Sequence, residues 1–246
     1  MIKRIDPPKG DGFDKLHIGV KAVLNLIPVA GGTATEIFNA IILPPFEIRL
    51  SQWRELVADT LKKLEEQVEG TVPNLARNTE FTSLLISAST IASKTHLTEK
   101  HEHLRNGLVN SIDSSLSYDF KEVYMNFIDE TTIQHVKLLE FLDYHKELVA
   151  PFKSYKSIYK LLVEGSRGVP ILQHMDLTAF RYLMKDLEGK GLIFISDAIE
   201  EVKGAVYEAS TRLLETGDKP DLPFVKITTF GKGFLDFITE PEKMRR

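Results

Sequence analysis

The side chains of this sequence best suited to holding a metal ion are His96, Glu99 and His103. Their spacing places imidazole and carboxylate ligands on one face of a helix predicted over about residues 80–111. The two histidines are two turns apart, about 10 Å, so a straight helix could offer one ion only Glu99 and His103. The metal hypothesis therefore stands beside a simpler interpretation, in which this is a solvated helix face.

The sequence contains no arrangement of residues typical of another kind of catalytic site. The absence of cysteine excludes a thiol nucleophile and a Cys-ligated zinc or iron–sulfur site. The segment Gly165-Ser166-Arg167-Gly168 lacks the strand-turn-helix context of a nucleophile elbow. Adjacent carboxylates such as Glu65 and Glu66 diverge by about 100° on a helix, so they do not form an acid/base pair. We expect a non-enzymatic protein without a cofactor.

Composition predicts an ordinary globular protein of one large or two small domains. The chain has 246 residues, of which 43% are hydrophobic and 27% are charged. Its 31 basic and 35 acidic residues give a net charge of −4, without the positive surplus that nucleic-acid binding usually draws on. The N-terminal residues lack the apolar core of a signal peptide, and no apolar run approaches about 20 residues. We expect a cytoplasmic location.

The most apolar region, residues 18–43, predicts two short helices joined by a turn at Pro28–Gly32. The simpler interpretation is the buried centre of a helical bundle. The alternative is a hairpin that inserts into a membrane under certain conditions, although helices of this length cannot span about 30 Å of hydrocarbon alone. The residues that would carry either the membrane contact or a partner contact are Ile27, Gly31, Gly32, Ile37, Phe38 and Ile41.

We predict a mainly α fold, in which an N-terminal helical bundle (residues 1–130) is followed by a winged-helix-like α+β domain (residues 131–246). Apolar periodicity and capping signals predict helices over about 13–27, 34–43, 44–68, 80–111, 118–128 and 132–149. Within the 80–111 segment the apolar face changes, because Leu97, Leu104 and Leu108 lie opposite the first half's apolar residues. This predicted helix either changes partners midway or buries two faces.

The C-terminal part resembles a winged helix, a helix-turn-helix variant with a β-hairpin. Helices are predicted over 155–163, 177–187, 197–216 and 231–238, and strands over 192–195 and 224–229. The resemblance is carried by Leu183–Ile193, in which a leucine-rich helix runs into a Gly-Leu-Ile strand, and by Lys226–Leu235. The connection of about 30 residues between the strands departs from a simple wing.

DNA contacts, if this domain made them, would come from Arg181, Lys185 and Lys190. Acidic residues at 176, 186 and 188 accompany these cations, whereas a DNA-reading helix favours uncompensated Arg and Lys. We therefore favour a structural or protein-binding winged helix. A DNA-binding regulator remains the alternative.

The order of the features along the whole chain resembles the abortive-infection alpha proteins of bacterial phage defence. The residues behind this resemblance are the apolar turn Ile27–Gly32, the helical segment 81–111 and the C-terminal run 228–235. The resemblance implies an interaction or effector protein that works through protein–protein contacts. We expect a protein partner, with DNA or a membrane surface as alternatives, and the apolar seam of the first helices would also serve a homodimer.

Overall fold

The protein is mainly helical and carries a small two-stranded sheet, which confirms the predicted helical class. The structure is a computed structural model. It describes residues 43–112, 115–145, 154–165, 172–173, 175–195 and 225–241. The chain divides into two compact units: the first is Met1–Glu130 with Phe237–Arg246, and the second is Thr131–Asp236.

The described helices of the first unit begin with α1, which confirms the helix predicted over about 44–68. Trp53 of this helix is fully buried and donates its indole N–H to Ser89 Oγ at 2.9 Å. Leu50, Val57 and Leu61 recur at helical spacing and are buried with it, so α1 presents one apolar face to the core. The helices are α1 (Leu43–Gln67), α2 (Thr71–Arg77), α3 (Thr79–Lys94), α4 (Thr98–Asn110) and α5 (Tyr118–Glu130).

The prediction of a single helix over about 80–111 is wrong, because the chain breaks between α3 and α4. Thr95 and Leu97 have extended backbone, with φ/ψ of −104°/146° and −84°/116°. The break redirects the chain, and Leu104 and Leu108 of α4 are buried. The change of apolar face along the sequence therefore marks a change of direction, since each half turns its own apolar side to the core.

The sequence does not predict the short helix α2. Gly70, which lies between α1 and α2, has a φ of 84°, a left-handed conformation that glycine adopts without strain. The Glu65 carboxylate accepts from the backbone N–H groups of Gly70 and Val72, each at 2.7 Å. Pro73 lies in the first turn of α2, where its missing N–H costs nothing. Glu65 thus satisfies backbone donors at the start of a helix too short to be visible as a pattern.

The second unit combines helices with an antiparallel strand pair. Phe194 pairs with Lys226, between the pairs Ile193 with Ile227 and Ile195 with Val225. Its elements are α6 (Ile133–Tyr144), α7 (Tyr155–Tyr159) with a π-helical continuation (Lys160–Gly165), α8 (Leu177–Gly189), β1 (Ile193–Ile195), β2 (Val225–Ile227) and most of α9 (Thr229–Ile238). The last two residues of α9 belong to the first unit. The predicted helices over 13–27, 34–43 and 197–216 lie outside the described residues, as does the long connection between the strands.

The C-terminal end of α9 packs on α4 within the first unit. Asn106 Nδ2 donates to Ile238 O at 2.8 Å, and Asn110 Nδ2 donates to Phe237 O at 2.8 Å. The last carbonyls of a helix lack intrahelical donors, so these amides satisfy groups that would otherwise be unpaired. Gly107 permits the approach, because a Cβ there would come within 2.7 Å of Phe237 Cε1.

Candidate docking surface

Hydrogen bonds of Thr228 connect the sheet of the second unit to the start of α9. Thr228, Gly191 and Gly231 all lie in the segments that resemble a winged helix. Thr228 donates its hydroxyl to Gly191 O at 2.6 Å, and its backbone N–H donates to Leu192 O at 3.0 Å. The same hydroxyl oxygen accepts from Gly231 N at 2.9 Å, which caps α9. Gly191 has a φ of 71°, where a side chain would be strained. These contacts fix the end of α8 and the strand that follows it.

The backbone at position 231 lies so close to the backbone of Leu192 that only glycine fits there. A Cβ at this position would overlap the carbonyl oxygen of Leu192. The glycine in the Thr-x-x-Gly segment is therefore a packing feature. It positions the sheet against α9 and supplies no chemistry of its own.

Helix α8 presents a polar face with one exposed aromatic ring. Its start is capped by Asp176, whose carboxylate accepts from Ala179 N at 2.7 Å. One side of the helix is buried through Phe180, Leu183, Met184 and Leu187. On the other side Tyr182 is 73% exposed. The exposed face of α8, defined here by Thr178, Arg181, Tyr182 and Lys185, is the candidate docking surface.

All three cations predicted for DNA contact are engaged by neighbouring side chains. Lys185 Nζ donates to Glu188 Oε2 at 2.7 Å, and Lys190 Nζ donates to Asp186 Oδ1 at 2.8 Å. The Arg181 guanidinium lies 5.6 Å from the centroid of the Tyr155 ring. The lysine charges of this helix are therefore compensated locally, and a phosphate backbone would have to compete for them.

A buried histidine of α6 lies beside Asp186 of α8. The Thr132 N–H donates to His135 Nδ1 at 3.1 Å, so the ring proton is on Nε2, which lies 3.3 Å from Asp186 Oδ2. Asp186 therefore faces both His135 and Lys190. Because Nδ1 accepts from Thr132 and Nε2 carries the proton, neither ring nitrogen of His135 is available as a general base.

The proposed metal ligands are not brought together on one helix. Because α3 ends at Lys94 and α4 begins at Thr98, His96 lies in the extended break, whereas Glu99 and His103 lie on α4. Within the described ranges, no group of three or more His, Asp or Glu side chains could hold a metal ion. Glu99 and His103 remain four residues apart on α4, so the metal hypothesis for this pair stays a prediction, without a third ligand among the described residues.

His103 has an altered acidity. Burial lowers the pKa of its imidazole to about 4, and Lys100 acts in the same direction while Glu99 opposes it. The surroundings of His103 therefore favour its neutral imidazole. The stability of the folded chain should therefore depend on pH.

The residues named for the apolar hairpin, Ile27, Gly31, Gly32, Ile37, Phe38 and Ile41, lie outside the described residues. Across residues 43–241, so far as the structure describes them, no helix has both the length and the apolar composition needed to cross a bilayer.

Two residues of interest were not found from the sequence, although a signal for each was present. Lys121 lies on the apolar face of α5, in register with Tyr124, Met125 and Ile128, and it is buried with them. A lysine at this spacing within an apolar stripe is the signal. Tyr182 precedes a buried leucine on α8, and its position on the opposite face follows from the helical period.

Comparison with protein-family models, with curated proteins and with solved structures gives no match for this chain.

Proposed function

We propose that this chain is a non-enzymatic interaction protein whose second unit, of winged-helix type, docks a protein partner. The contact is made by the candidate docking surface on α8. The partner surface has a pocket for the phenol ring of Tyr182 and a carboxylate for Arg181. On the resemblance to abortive-infection alpha proteins, the setting we propose is bacterial phage defence in the cytoplasm.

The observation that carries the proposal is the exposure of Tyr182 beside Arg181, on a face whose lysines are paired. Tyr182 is 73% exposed, and Lys185 is held by Glu188 at 2.7 Å. Tyrosine and arginine are the residue types most enriched among the energetic centres of protein interfaces, and lysine is depleted there. The composition of this face therefore fits a protein partner better than a polyanion.

Two alternative functions, DNA binding and membrane binding, would give different experimental results. A winged-helix DNA-binding regulator would use Arg181, Lys185 and Lys190 on phosphates, and its complex would weaken steeply with salt. A membrane-active effector would use the apolar hairpin at residues 18–43, and it would bind liposomes without the α8 face.

Quantitative co-purification tests the docking proposal. The tagged full chain is expressed in the cells that make it naturally, and its partners are compared with those of Tyr182→Ala and Arg181→Ala. An interface centre of this kind loses about 2 kcal/mol or more on truncation, so the Tyr182→Ala complex should be weakened about 30-fold.

Tyr144 provides the matched control. It belongs to the same unit and is 76% exposed, so Tyr144→Ala removes a comparable ring from another helix. We expect the partner to be retained by this variant. Equal recovery of the partner with Tyr182→Ala contradicts the proposal, and so does a salt-sensitive DNA complex that Tyr182→Ala leaves intact and Lys185→Ala abolishes.

A further inference from the structure

The first unit contains a cavity of about 460 Å³ at a point where two helices begin. The N-terminal end of α3 contributes its N-cap Asn78 and Glu80 to the wall, and the N-terminal end of α5 contributes the preceding Ser117 together with Tyr118 and Lys121. The rest of the described lining consists of Ser111 and of leucine, isoleucine and phenylalanine side chains. This volume lies in the range of about 300–1,000 Å³ that is typical of small-molecule sites.

Among the described residues of this lining Lys121 is the cation, and its side chain is buried, with the residue only 5% exposed. Within the part of the chain that the structure describes, its ammonium has no hydrogen-bond or ion-pair partner. The Nζ atom itself keeps some contact with solvent, and an opposite charge placed beside an ammonium in so confined a position would form a charge-assisted hydrogen bond with it. A negatively charged group in the cavity would supply the partner that the described residues do not.

The backbone around the cavity also favours a negatively charged ligand. Helices α3 and α5, of 16 and 13 residues, both direct their N-terminal ends to it, and the dipole of each makes that end positive. Lys121 is in the first turns of α5, the end at which a cation is disfavoured. The side chain of Asn78 caps α3 through its Oδ1, which accepts from Phe81 N at 3.0 Å, so its Nδ2 donor is the group left for a ligand.

The rest of the lining favours a ligand with about one negative charge and an apolar portion. Glu80 would repel a multiply charged anion, and one lysine balances about one negative charge. The apolar side chains would cover a hydrocarbon or aromatic portion.

We propose that this cavity binds a small organic anion of a single negative charge, with a carboxylate against Lys121 and an apolar body in the remaining space. The site belongs to the first unit and stands independently of the docking function proposed for the second.

Isothermal titration of the full chain with two singly charged carboxylates, benzoate and phenylacetate, tests the site, and phenol supplies an aromatic ring without the charge. We expect one anion to bind per chain, more tightly than phenol. Lys121→Met keeps the apolar stem and removes the charge, and it should weaken binding at least about tenfold, as for the loss of a charge-assisted hydrogen bond. Lys62→Met removes the same charge from an exposed position and should bind as the wild type does.

Glu80→Gln gives a test that leaves the buried lysine in place. Glu80 is exposed and its carboxylate opposes the anion, so this variant should bind the probes several-fold more tightly. Circular dichroism shows whether Lys121→Met is folded, and if it is not, Glu80→Gln decides. The proposal is overturned if neither anion binds the wild type, if folded Lys121→Met binds equally well, or if Glu80→Gln binds no more tightly.

Discussion

His103 should make the first unit sensitive to acid. Its pKa is lowered from 6.5 to about 4 in the folded chain, chiefly by burial. As the pH falls, the unfolded chain therefore takes up this proton before the folded chain does. Stability that is present above pH 6.5 is lost progressively between about pH 6.5 and pH 4. With these two pKa values, the loss between pH 7 and pH 5 is about 2 kcal/mol, and it reaches about 3 kcal/mol at pH 4.

Urea unfolding at pH 7 and at pH 5, followed by the fluorescence of Trp53, measures this loss. Trp53 is the only tryptophan of the chain and is fully buried in the first unit. Carboxylates also titrate in acid, so the quantity to compare is the difference between wild type and His103→Gln in their change with pH. The variant should lose about 2 kcal/mol less than the wild type over this interval.

His96→Gln is the control, because it also removes an imidazole but from an exposed position and leaves His103 in place. It should keep the wild-type loss of stability in acid. The reasoning is refuted if His103→Gln loses as much stability between pH 7 and pH 5 as the wild type does.

Three further predictions concern stability. Ser89→Ala removes the acceptor of the buried Trp53 indole N–H and should cost about 1–3 kcal/mol in urea unfolding followed by fluorescence; an unchanged midpoint would show that the bond contributes nothing. Gly231→Ala should lower the thermal midpoint because a Cβ there meets a carbonyl oxygen, whereas Gly189→Ala, with open space around its Cβ, should leave the midpoint equal or higher; the reverse order would contradict the packing argument. Glu65→Ala removes the acceptor of two backbone N–H groups before and within α2 and should cost about 1–2 kcal/mol, a loss that urea unfolding would detect.

The long elements could be predicted from the sequence because their signals are local. The apolar residues of α1 recur at helical spacing around Trp53, and Pro44 and Gly70 bracket them. The Gly-Leu-Ile pattern after α8 and the β-branched residues of β2 likewise predict the two strands, which the structure pairs in antiparallel register.

The elements that were missed depend on contacts between distant parts of the chain. The break at Thr95–Leu97 contains no proline or glycine, and it is set by the burial of α3 and α4 on separate apolar faces. The pairing of Asn106 with Ile238 O joins positions far apart in sequence, and nothing local marks an asparagine as a cap for a distant helix.

The docking surface on α8 and the cavity beside Lys121 were only partly predictable, because they too depend on contacts between distant parts of the chain. Arg181, Lys185 and Lys190 were found as cations, and their acidic neighbours at i+3 and i−4 were visible in the sequence. The cavity beside Lys121 was not, because it requires the first turns of α3 and α5 to meet. Side chains from separate helices define a cavity, whereas periodicity reports only which face of each helix is apolar.

The most direct test of the docking proposal replaces Tyr182 with a photoreactive p-benzoylphenylalanine in the full chain, within the cells that make it naturally. Illumination should join position 182 to a discrete protein that mass spectrometry identifies. The same group introduced at Tyr144, which is equally exposed in the same unit, should not capture that protein. Capture of nucleic acid at 182, or the same adducts from both positions, would contradict the account.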